Sequence, residues 1–136
     1  MIEHFPDTTK ILTELHRVLK KGGMSFNTVP AFNIMWLVRF WNNIPTIPLI
    51  KNIFELVHVN LLNNKILNKY HGYELSYTFS ALTNYHKYAG FKKIHGGSFA
   101  FHPSSDRLKN PFLRELYYKI SQIRLLSPIY YIVGTK

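Results

Sequence analysis

Residues 7–30, DTTKILTELHRVLKKGGMSFNTVP, constrain the fold more than any other stretch. Asp7 or Thr8 can cap a helix start, because a short side-chain oxygen accepts from the first free backbone N–H groups. Ile11, Leu12, Leu15, Val18 and Leu19 recur at helical spacing and form one apolar stripe. Lys20 and Lys21 suit the negative end of the helix dipole, and Gly22-Gly23 supplies a left-handed stop. MSFNTVP then has the composition of a short buried strand ended by Pro30. Helix, glycine turn and strand are the second half of an alternating unit, so the expected class is α/β, with another strand ahead of the helix. Only MIEHFP stands before Asp7, which is too little for that strand.

The rest of the chain alternates in the same manner, with two longer interruptions. Residues 34–70 contain IMWLVRFW and LIKNIFELVHVNLL, apolar enough for two helices, separated by NNIPTIP. Arg39, Asn42, Asn43, Pro45, Pro48 and Lys51 break every window long enough to span a bilayer. Two readings suit this insert: an in-plane interfacial helix bearing Trp36, Phe40 and Trp41, or a lid over a cleft. The lid is favoured, since soluble domains bury such aromatics routinely. Thr78 begins a capped helix that Gly90 stops, and FKKIHGGSFAF follows as a strand whose glycine pair suggests a bulge. Asn110-Pro111 opens a further helix, with Leu113, Leu116, Tyr117, Ile120 and Ile123 along one face. IYYIVGTK closes the chain as a strand. The expected sheet strands are about 24–30, 93–101 and 129–135, within one domain of 136 residues.

Composition excludes several function classes. With no cysteine there is no disulfide framework, thiolate metal site or thiol nucleophile. Glu3 and Asp7 stand where a secretory leader would be basic and then apolar, so a cytoplasmic location is expected. Hydrophobic residues make up 46% of the chain, which excludes a disordered tail. The net charge is +10, and residues 77–136 hold nine Lys/Arg against two acids. These cations are interspersed and never form a run of five, which favours solvated surface over a nucleic-acid interface. Glu55 and His58 form a single E-x-x-H, where a carboxylate di-metal site needs two, so no metal is expected.

The opening segment resembles class I S-adenosylmethionine-dependent methyltransferases (type 11-like), in the part after their fourth strand. Glu3-His4-Phe5-Pro6-Asp7 matches the acidic-His, apolar, Pro-Asp pattern. Leu12, Glu14, Leu15, Arg17, Val18, Leu19, Lys20, Gly22 and Gly23 match the helix that follows, and Val29-Pro30 matches the end of the fifth strand. Thr78, Leu82, Ala89, Gly90 and Phe91 fall on the later helix and sixth strand, and YYIVGTK on the closing strand. The resemblance leaves out the inserts at about 34–70 and 103–128.

That resemblance implies a partial Rossmann-like sheet made of the fifth, seventh and sixth strands, with the closing strand central and antiparallel to both neighbours. It implies Glu3 and His4 beside the transferable methyl as catalytic residues, and a substrate pocket bordered by Asn27, Pro30, Asn33 and Trp36. It also implies that the chain is the C-terminal half only. The family's D/E-x-G-x-G-x-G loop, which cradles S-adenosylmethionine, occurs nowhere in the sequence. The expected partners are a small-molecule acceptor, and an N-terminal half or a second copy at the open sheet edge. Peripheral membrane contact through 34–57 is a further expectation, and nucleic acid is not expected. The competing reading from another class is a non-catalytic half-domain that docks on a protein, followed by a basic nucleic-acid-binding domain.

Overall fold

Asp7 caps the first helix, its Oδ1 accepting from the Lys10 N–H at 2.9 Å, and α1 runs Thr8–Val18 in the computed structural model. The structure describes residues 1–38, 43–65, 68, 72–99 and 109–136. Phe40, Trp41 and Phe101, along with parts of both inserts, lie outside the described residues. Thr8 does not share the capping role; its hydroxyl instead meets the Tyr77 hydroxyl at 2.8 Å in the interior. The inward stripe of α1 is Ile11, Leu12, Leu15 and Leu19, while Val18 is exposed. Gly22 takes φ +78°, a region that disfavours a Cβ, and turns the chain into β1, Met24–Pro30.

Two sheets are present among the described residues. In the larger, β5 (Ile129–Thr135) lies between β1 and β4 (Lys92–Ser98) and is antiparallel to both. The second sheet was not expected: β2 (Ile44–Pro45) pairs in parallel with β3 (Leu75–Ser76). Two-residue strands carry no periodicity for a sequence to display. Tyr77 links the two sheets, donating its N–H to the Pro30 carbonyl and accepting from the Phe32 N–H.

The irregularity in β4 falls between Lys92 and His95, where Lys93 adopts φ +44°, rather than at Gly96-Gly97. The glycines answer a different need. A Cβ on Gly96 would stand 2.3 Å from the Tyr131 carbonyl oxygen, so only glycine fits there.

Helices α1 and α4 (Phe79–Tyr88) cover one face of the larger sheet, and Leu12, Val29, Leu82, Phe91 and Ile132 form the core between them. Thr78 caps α4 through the Ala81 N–H. Residues 34–65 supply α2 (Ile34–Val38), then α3 (Pro48–Glu55) continuing into a π-helical turn, Leu56–Leu61. α5 (Pro111–Ser121) is capped by Asn110 and followed by a 3-10 turn, Arg124–Leu126. The apolar side of α5 faces outward, contrary to the usual burial of such a stripe.

β1 also reverses the ordinary pattern. Its buried positions include Ser25 and Asn27, while Met24 and Phe26 are exposed. The ladder bonds Ala31 N–H to Pro128 O and Lys136 N–H to Gly23 O. Odd-numbered residues therefore face β5, and Met24, Phe26 and Thr28 turn their peptide groups to the outer edge. β1 ends the larger sheet on that side.

Candidate functional site

A 3-10 turn, Ile2–His4, carries the chain from its first residue into α1, and Ile2 is anchored in the core. That anchor holds Glu3 and His4 beside Tyr73 and Glu74, which lead into β3. His4 Nδ1 donates to the Tyr73 carbonyl at 2.9 Å. In the neutral ring this leaves Nε2 as the lone-pair nitrogen, 3.9 Å from Glu3 Oε1. Glu3 also receives the Met1 ammonium at 2.5 Å. One ligand-type atom from each of Glu3, His4 and Glu74 lies within 4.8 Å of the others. Two carboxylates and an imidazole are a donor set suited to a divalent transition metal or a shared proton. The sequence reading anticipated no metal and did not include Glu74.

Beside this cluster opens a cleft of about 450 Å³, lined by Pro6, Glu55, Val59, Asn60, Asn64, Asn68 and Tyr73. Its walls come from the loop after His4, the end of α3 with its π-helical turn, the residues that follow that turn, and the segment before β3. The Tyr73 hydroxyl donates to Glu55 Oε1 at 2.5 Å. Burial and the Glu55 carboxylate push its ionisation well above the ordinary tyrosine range. Lys51 closes the rim, donating to the Pro6 carbonyl at 2.8 Å and standing 3.7 Å from Glu55. Burial likewise pushes Tyr77 up, against the opposing hydrogen bond from Thr8. Of the seven acids in this basic chain, Glu3, Asp7, Glu55 and Glu74 gather in this region.

The four residues expected to border the substrate pocket are placed otherwise, and none of them lines the cleft. Asn27 donates to Ser25 Oγ at 2.8 Å and to His86 Nε2 at 3.2 Å, beneath α4. Pro30 is buried, with its carbonyl held by Tyr77. Asn33 fastens α2 to the end of the insert: its amide donates to the Arg124 and Ser127 carbonyls and to the Tyr130 hydroxyl. Trp36 is 6% exposed and packs edge-on against Phe32 and Phe54. Through Phe54, Trp36 touches α3, the helix that ends at cleft residue Glu55. The E-x-x-H pair separates as well, with Glu55 in the cleft and His58 stacked on Phe54.

Cleft residues Tyr73 and the three asparagines carry no signal in the sequence, and Glu55 stands out there only as part of an E-x-x-H pair. A π-helical segment, often found at functional sites, leaves no signature that periodicity detects.

No protein-family profile matches the chain, and no curated protein does either. Among solved structures it is similar to a SAM-dependent methyltransferase of Thermotoga maritima, described as a possible histamine N-methyltransferase, at 16% identity and a TM-score of 0.49. The similarity covers 99% of this chain and 52% of that one, so the chain spans about half the length of that protein. No helix among the described residues is long and apolar enough to cross a membrane.

Proposed function

We propose that this chain is the acceptor-binding part of a cytoplasmic S-adenosylmethionine-dependent methyltransferase acting on a small molecule. The observation that carries the reading is the joining of Glu3-His4 to a cleft: His4 is bonded to Tyr73, which lines the cavity together with Pro6. The motif resemblance and the central antiparallel β5 support the same reading.

In this account the acceptor lies in the cleft, and His4 Nε2 removes its proton as the acceptor oxygen or nitrogen becomes a nucleophile. The Tyr73 carbonyl fixes the ring, and Glu3 favours the imidazolium that forms. The chain's own residues do not fit the adenosyl group. Gly22 is committed to a hydrogen bond with Lys136, and Gly96 lies packed against Tyr131, so neither glycine pair is a free anion-cradling loop. Those contacts are assigned to polypeptide beyond the outer edge of β1. A strand added there and followed by α1 runs parallel to β1 by the right-handed crossover rule.

Transfer of a labelled methyl group tests this, using the chain combined with a polypeptide that carries the family's glycine-rich cofactor loop and first four strands. Glu3→Gln and His4→Ala should each lower kcat by roughly a hundredfold, with acceptor affinity retained. Full activity in both variants would remove these residues from the chemistry.

A further inference from the structure

We propose that the outward face of α5 docks this protein onto an anionic lipid surface. Phe112, Leu113, Leu116, Ile120, Ile123 and Leu125, on the helix and the turn after it, are 36% to 72% exposed. Phe112, Leu116 and Ile120 recur every four residues and so share one side of the helix, and Ile123 follows just beyond its end. The inward side is the more polar one: Arg114, Tyr117, Tyr118 and the fully buried Ser121. A helix that packs its polar side inward and presents leucine, isoleucine and phenylalanine to solvent has an apolar partner outside the fold.

Charge selects the partner. Residues 109–124 expose Lys109, Lys119 and Arg124 against one acid, Glu115, in a chain of net charge +10. Lys119, 70% exposed at the side-chain level on the margin of the apolar stripe, forms a surface ion pair with Glu115 at 3.5 Å, weak enough for its ammonium to turn to headgroups while its stem lies along the apolar side chains. Arg124 stands over the Phe79 ring at 4.3 Å, which holds the following turn in place. Two copies meeting through this face would bring like charges together, whereas an anionic bilayer accepts both the apolar stripe and its cationic margin.

The test is flotation of the purified chain with vesicles of phosphatidylcholine alone and of equal parts phosphatidylcholine and phosphatidylglycerol. Binding is expected on the anionic vesicles only and should fall as salt rises. Leu116→Ser combined with Ile120→Ser should abolish it while leaving the melting temperature unchanged, since both side chains are already exposed. Lys119→Glu, a surface change that leaves the apolar stripe intact, should weaken partitioning by roughly tenfold. Failure to float with anionic vesicles, equal flotation with neutral ones, or retention of binding in both variants would overturn the proposal. So would sedimentation showing a dimer that Leu116→Ser/Ile120→Ser dissolves, since the occupant would then be a second copy.

Discussion

Tyr73 and Glu55, eighteen residues apart in sequence, meet across the cleft in a hydrogen bond of 2.5 Å from hydroxyl to carboxylate. The pair ties the segment before β3 to the last turn of α3 and so fixes the width of the opening. Tyr73→Phe removes the donor and leaves Glu55 with Lys51 alone. Thermal unfolding should show a loss of roughly 1 kcal/mol, small because the carboxylate keeps partial access to water. Spectroscopic titration should find wild-type Tyr73 un-ionised where ordinary tyrosines titrate. A normal titration of all nine tyrosines would contradict the buried pair.

Acid should destabilise the fold through two buried histidines. Burial lowers the His86 pKa, against the opposing bond to the Leu82 carbonyl, and burial lowers His58 in the same direction. Both rings take up protons less readily in the folded chain than in the unfolded one, whose histidines gain them as pH falls through 6.5, the ordinary value. The unfolded state then binds more protons, so stability declines on acidification and is full above neutrality. Denaturant midpoints measured between pH 8 and about 5 should fall, and less so in His86→Gln. A slope equal to wild type in that variant would remove His86 from the effect.

Gly96→Ala tests the close approach of β4 to β5. The added Cβ would meet the Tyr131 carbonyl oxygen at 2.3 Å, which is backbone and has little room to yield. A loss of about 2–3 kcal/mol is expected in chemical denaturation. Unchanged stability would mean that the two strands are spaced more widely at that point.

The open edge of β1 should make the isolated chain self-associate. Met24 and Phe26 are exposed, and the peptide groups of Met24, Phe26 and Thr28 face away from β5. Phe26→Lys places a charge on that edge and should shift sedimentation toward monomer with little effect on melting. Association that persists unchanged in Phe26→Lys would exclude this edge as its cause.

Local chemistry made much of the framework legible in the sequence. Asp7, Thr78 and Asn110 each cap the helix that their position suggested. The strands near 24–30 and 129–135 are found at those positions, and the third is Lys92–Ser98. What stayed hidden depends on long-range placement. The stripe on 111–121 was visible, yet nothing in its spacing states whether it turns inward or outward. A glycine pair within a strand suits a bulge and a close backbone approach alike, and only the neighbouring Tyr131 distinguishes the two. At the site, Glu3 and His4 drew notice as adjacent residues. Their neighbours Tyr73 and Glu74 lie about seventy positions away, and Tyr73 meets His4 through a backbone carbonyl, which residue type does not reveal.

Calorimetric titration of the purified chain with S-adenosylmethionine tests the central claim most directly. In the proposed reading the cleft takes the acceptor and the acid-histidine pair acts on it, while Gly22 and Gly96 are committed to a turn and to strand packing. No heat of binding is therefore expected from the chain alone, and saturable binding is expected once a polypeptide carrying a glycine-rich cofactor loop is added. Micromolar binding by the chain alone would contradict the account and place a cofactor site within these residues.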